Sequence, residues 1–223
     1  MDENDRPSSF RATVINSNRS GFALFRRTAE LLEEVVMKPR PHSSRFVLAL
    51  DALFLQAYKT FCGVYFLAVR GHGEDAATLL RRLLEITAQI GYLTYDPNPD
   101  ERESRANRYF AYNPDHRGYW WGGNIRDLFD SIGLVDTYDQ DYRLLAQISH
   151  TCAQRLLFGV EKGSIQIRSA ETFTPTVVFA SRYVLGTAIK WNEVFNLLDV
   201  PRIASAIDEA IHFSVNMSKE TPH

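Results

Sequence analysis

An arginine and a histidine on one side of a helix suit phosphoryl chemistry. The chain carries such a pair in the segment DYRLLAQISH, at Arg143 and His150. Seven residues is close to two turns of α-helix, so the two positions share a face, about 10 Å apart along the axis. Histidine takes up or releases a proton near neutral pH. Arginine holds a phosphate and offsets the charge that builds up as the phosphorus is attacked. Tyr142 and Ser149 flank the pair and can orient it. The same spacing also fits a plainer arrangement, with an exposed surface arginine and a histidine satisfied by a neighbouring hydrogen bond.

Other groups have two readings as well. Arg81 and Glu85 stand at i and i+4, where an ion pair forms readily on a helix. Glu85 then either orients His150 or Arg143 from a neighbouring helix, or belongs to a surface pair of small value. Arg102, Arg105 and Arg108, with Tyr109, Tyr112, Tyr119, Trp120 and Trp121, fit a basic, aromatic nucleic-acid surface. They fit equally a solvated helix face beside a hydrophobic loop that closes the core or a dimer, and that second reading is the one we favour. His42, His72 and His150 could converge on a metal only from separate elements. The chain has no HExxH, no paired CxxC, no ExxH of the di-iron bundles and no glycine-rich phosphate loop, so neither metal nor cofactor is expected.

The 223 residues carry a formal net charge of −2, with 45% apolar and 23% charged residues. That is an ordinary globular composition, with no bulk basic footprint for long nucleic acid and no sign of DNA specificity. Cys62 and Cys152 are too few and too far apart for a disulfide framework, and fit reduced thiols in a cytoplasmic protein. The opening MDENDRPSSF is polar and acidic, unlike a signal peptide. Residues 46 to 69 are long and apolar enough to cross a membrane, but Asp51, Gln56 and Lys59 interrupt them. Charges at mid-bilayer are costly, so a buried core helix is expected and no membrane partner.

The elements that must position these groups follow from apolar periodicity and its stops. Helices are expected from about 22 to 36, 46 to 69, 74 to 96, 99 to 112, 125 to 133, 136 to 158, 175 to 198 and 201 to 215. Ser43 or Ser44, Asn98 and Asn124 are candidate caps. Residues 160 to 172 lack a helical period and suggest a small irregular or β excursion around Ile165 and Ile167. Residues 1 to 18 and 218 to 223 are expected to be mobile tails. The expectation is an all-α bundle of six to seven principal helices in one domain spanning 1–223.

Two resemblances sharpen this picture. GHGEDAATLLRRLLEITAQIGYLTYD followed by TYDQDYRLLAQISH resembles an uncharacterised bacterial family, domain of unknown function 5677. Its RxLLE-type helix matches Arg81, Leu84 and Glu85, and its Y-R-x-L-S-x-x-x-H-type helix matches Tyr142, Arg143 and His150. Ala146 stands where that pattern often has serine, and Thr151 where proline is common. The resemblance covers roughly residues 45 to 160. In addition, an arginine and a histidine separated by six residues on a bundle helix resemble the motif of the HEPN superfamily. What that implies is an up-and-down helical core and a metal-independent endoribonuclease. A homodimer would set its motifs face to face, and an RNA 2′-hydroxyl would attack the adjacent phosphate. Many such enzymes act in phage defence or as toxins. Arg143 and His150 would then be catalytic, with Glu85, Arg81, Tyr142 and Ser149 around them. The alternative is a non-catalytic helical module that binds a nucleotide or a protein.

Overall fold

The computed structural model describes residues 7–39, 44–112, 118–150, 173–196 and 200–220, without the side chains of 7–9, 74, 148–150, 200 and 213–220. The chain forms α1 (Pro7–Ser17), α2 (Arg19–Met37), α3 (Arg45–Ala68), α4 (Gly73–Thr94), α5 (Pro99–Ala111) and α6 (Ile125–Asp130). There follow a single turn α7 (Val135–Thr137), a π-helical turn Tyr138–Tyr142, α8 (Arg143–His150), α9 (Phe173–Phe195) and α10 (Val200–Glu220). No strand occurs among the described residues, and the architecture is an all-α bundle. The expected excursion at 160–172, the end of the 136–158 helix and Cys152 lie outside the described residues.

Three long helices, α3, α4 and α9, pack on one another and form the centre. In α3 the buried set is Phe46, Ala49, Leu50, Leu53, Phe54, Ala57, Phe61, Val64 and Ala68, an apolar stripe at steps of three and four. This is the one described helix with the length and apolar composition of a membrane span. Its stripe faces α4 and α9 here, and the Asp51 that interrupts it accepts a hydrogen bond from Trp191 Nε1 of α9 at 2.9 Å. Helices α2 and α10 cover α9, while α5, α6 and α8 cover the remaining sides of α4.

Small residues let the helices approach closely. A Cβ added at Gly21 of α2 would lie 2.8 Å from Thr174 Oγ1, and one at Gly63 of α3 would lie 2.9 Å from Leu79 Cδ1. Thr28 donates to Ser181 at 3.3 Å across the α2–α9 seam, so the buried hydroxyls are paired there.

Within the stretch expected as a mobile tail, the described residues form a helix. Pro7–Ser17 is helical, Val14 is fully buried, and Phe10 and Ile15 pack against the core. With a single deeply buried residue the segment shows no amphipathic stripe, which is why its sequence reads as unstructured. At the other end, α10 extends to Glu220.

The start of α3 is capped from two directions. Ser44 Oγ accepts from Val47 N at 3.3 Å. The backbone N–H groups of Arg45 and Phe46 donate to the two carboxylate oxygens of Glu103 on α5, each at 3.0 Å. A carboxylate also suits the positive end of the helix dipole. Glu103→Ala should therefore lower stability by about 1 kcal/mol, the usual worth of a helix cap, read as a reduced urea midpoint. An unchanged midpoint would mean that water serves those two donors as well as Glu103 does.

Candidate functional site

Helix α4 places Arg81, Arg82 and Glu85 on a polar stripe that the sequence pattern assigns to its solvent side. In the structure α8 and the π turn pack over that stripe. The Glu85 side chain is only 18% exposed, so its carboxylate needs partners within the protein. Tyr142 OH donates to Glu85 Oε1 at 3.0 Å. Arg81 Nε lies 3.8 Å from the same oxygen, and Arg82 binds Oε2 at 3.1 Å. The preceding residue reaches another helix: Asp141 accepts from Tyr183 OH of α9 at 2.7 Å. Adjacent residues of the π turn thus fasten it to α4 and to α9. Burial pushes the Tyr142 hydroxyl well above the ordinary phenol pKa, and the neighbouring Glu85 charge adds to the shift. Tyr183 is raised in the same way, by burial first and by Asp141 second.

Arg81 and Glu85 lie together, and Tyr142, expected beside Arg143 and His150, meets Glu85 as well. Arg143 pairs instead with Asp139 on its own helical run, at 3.6 Å, and its side chain is 60% exposed. Asp139 also lies 3.8 Å from Arg126 of α6. His150 ends α8, and its side chain and that of Ser149 lie outside the described residues. Within α8, Leu145 is buried in the core while Arg143 and Gln147 are exposed. At 100° per residue, position 150 falls on the side of Arg143 and Gln147, opposite Leu145.

Sequence reasoning missed Asp139, Asp141, Tyr183 and Arg126. Asp139 had a usable signal, since it stands four residues before Arg143. The Tyr183–Asp141 and Arg126–Asp139 pairs join distant segments and leave no local pattern.

The arginine-rich helix has a structural task. Arg102 donates to Thr94 O at 3.2 Å and to Asp96 O. Arg105 donates to Tyr92 O at 2.6 Å and pairs with Asp96 at 3.5 Å, with its side chain 12% exposed. These guanidiniums satisfy carbonyls at the end of α4 that have no helical partner. In the following loop Trp120 is buried and its Nε1 donates to Gln89 Oε1 at 3.2 Å, so this loop closes the core. Trp121 is partly buried against the same core, and Tyr119 stacks on its outer side at 4.4 Å and is 49% exposed.

His72 sits at the start of α4, while His42 lies outside the described residues. Among the described residues no three histidine, cysteine, aspartate or glutamate side chains are grouped to hold a metal ion. Cys62 is a free, half-buried thiol, and burial pushes its pKa up.

Residues 47–117 match the model of a family of unknown function (DUF5677). The match spans less than half of the chain. It takes in most of α3 and all of α4 and α5, with Arg81, Leu84 and Glu85, and stops before Tyr142, Arg143 and His150. Neither the curated proteins nor the solved structures contain a match to this chain.

Tyr142 and Tyr183, together with Tyr58 and Tyr109, which burial also raises, set an alkaline limit. A folded-state pKa above the unfolded value of about 10 adds stability that is complete below pH 10. That stability is lost as pH climbs towards the folded value. The urea midpoint should therefore fall between about pH 10 and 11.5, and the double variant Tyr142→Phe/Tyr183→Phe should show a shallower fall. Equal slopes for the two proteins would mean that these phenols are not the groups responsible.

Proposed function

We propose that the chain is a metal-independent endoribonuclease of the HEPN type, working as a homodimer and serving as a defence or toxin effector in the cytoplasm. Arg143 clamps the scissile phosphate, and His150 is the general base or acid. One observation carries this reading. The backbone from Arg143 to His150 is uninterrupted α-helix, and its Arg143–Gln147 side is exposed while Leu145 anchors the opposite side. The irregular π turn ends just before Arg143, so the two-turn spacing of the pair is preserved.

The chemistry needs only groups of those types. Histidine accepts the proton of an RNA 2′-hydroxyl, whose oxygen attacks the adjacent phosphorus. The bond to the 5′-oxygen breaks, and that oxygen takes a proton from an imidazolium. The products are a 2′,3′-cyclic phosphate and a 5′-hydroxyl. Arg143 would offset the negative charge that gathers on the phosphoryl oxygens. A second subunit would contribute the second histidine, so that one imidazole is neutral and the other protonated. Glu85 and Tyr142 support the base of α8 through their hydrogen bond and act by positioning.

A non-catalytic module that binds a nucleotide or a protein is the second reading, and the exposed Tyr119–Trp121 stack is what favours it.

The deciding experiment incubates single-stranded RNA with the wild-type chain and with His150→Ala and Arg143→Ala, in the presence of a chelator. Wild type should give cyclic-phosphate ends; His150→Ala should be slower by about 10²–10⁴-fold, the usual worth of general acid–base catalysis, and Arg143→Ala by about 10²–10³-fold, the usual worth of one charge-stabilising donor. No cleavage by the wild type, or equal cleavage by all three, would sink the ribonuclease reading.

A further inference from the structure

Among the described residues Glu85, Glu101 and Asp139 are each shared by two arginines, and the surroundings of Glu85 and Asp139 differ. Glu85, between Arg81 and Arg82, is half-buried and is also bound by Tyr142 at 3.0 Å, so it is built into the packing. Asp139, between Arg126 and Arg143, is more exposed, at 38% of its side chain. Its contacts are 3.8 and 3.6 Å, and both guanidiniums are 60% exposed. A tight charge-assisted hydrogen bond is about 2.7–2.9 Å long, so these are loose pairs, and loose exposed pairs contribute little to stability. Within this trio two guanidiniums share one carboxylate.

The short helix that carries Arg126 has a second feature. Trp121 Nε1 donates to Asn124 O at 3.0 Å, which ties the aromatic pair to the cap of α6. Asn124 forms a reciprocal capping box with Asp127, so this junction is rigid. Tyr119 and Trp121 stack nearly parallel, with 7° between their rings. An exposed aromatic plane accepts an unpaired base, and neighbouring guanidiniums accept the phosphates that follow it. An acidic protein segment would account for the arginines and not for the stack.

We infer that Tyr119–Trp121 and the Arg126–Asp139–Arg143 cluster form a binding surface for single-stranded RNA, in which Asp139 holds the place of a backbone phosphate until RNA displaces it. Arg126 becomes the second arm of the phosphate clamp and Tyr119 the stacking platform. The choice of RNA as the polynucleotide rests on the ribonuclease reading, and the surface itself rests on the geometry above.

The test reads binding apart from cleavage, using His150→Ala as the parent protein and a fluorescein-labelled oligouridylate of about twelve nucleotides, a length within the range a single-strand site spans. Binding is followed by anisotropy across a salt series, and far-UV circular dichroism with thermal melting verifies folding. Arg126→Ala should weaken binding about tenfold and reduce the steepness of log affinity against log salt by about 0.7, one phosphate contact on a single strand. Tyr119→Ala should weaken binding about tenfold with that steepness unchanged, as loss of one stacked base would. Asp139→Asn should tighten binding, which no loss of a merely structural contact would do. Unchanged or weaker binding by a folded Asp139→Asn protein overturns the inference. So does uridine monophosphate or inorganic phosphate binding as tightly as the oligonucleotide, or an acidic peptide binding where the RNA does not. Tight binding that follows these signs, together with no cleavage by the wild-type chain, upholds this surface and sinks the ribonuclease reading. Cleavage indifferent to Arg126 and Asp139 does the reverse.

Discussion

Helix α4 has neighbours on almost every side, with α3, α9, α8, α6 and α5 all against it. Asp75, Thr78 and Arg82 on its first half stay exposed, but a polar group in the enclosed part is costly if unpaired. Glu85, Thr87 and Gln89 are therefore matched to neighbours. Glu85 receives Tyr142 and two arginines, Thr87 meets Thr187 at 3.1 Å, and Gln89 takes the Trp120 indole. The loop after α5, the turn before α8 and the seam with α9 are all set by what α4 presents.

Other joints follow the same rule at the ends of helices. Glu103 serves the first N–H groups of α3, while Arg102 and Arg105 serve the last carbonyls near the end of α4. Helix α5 therefore clasps the beginning of one central helix and the end of the next. Its run of charges has the look of a surface helix, yet several of those charges face inward to backbone groups.

The helices themselves were largely legible. Apolar stripes located α2, α3, α4, α9 and α10 within a few residues, and Ser44, Asn98 and Asn124 all act as caps. What could not be read were features that depend on two distant segments meeting. The arginine steps at 102 and 105 looked like a basic face, because their acceptors are carbonyls of the helix before them. Asp51 looked like a break in an apolar helix, and its partner Trp191 lies 140 residues away. At the candidate site, i and i+4 spacing suggested Arg81 with Glu85, and the two lie together. The same reasoning aimed Glu85 at His150 or Arg143 and Tyr142 at that pair, whereas Asp139 takes Arg143 and Tyr142 takes the Glu85 carboxylate. Local charge pairing and a buried phenol decided the matter.

The π turn has a consequence for how this chain is compared with others. In it the N–H of Arg143 reaches back to the carbonyl of Tyr138, five residues away instead of four. One extra residue is thereby absorbed, and everything after it is out of phase by about 100° with a regular helix of the same length. The turn acts as a phase shifter between a stretch keyed to Phe129 and a stretch keyed to α4. An arginine and a histidine at the right separation are then only half of a signature. The other half is the count of residues between α6 and Arg143, because a chain shorter by one there would turn the same two side chains towards a different neighbour.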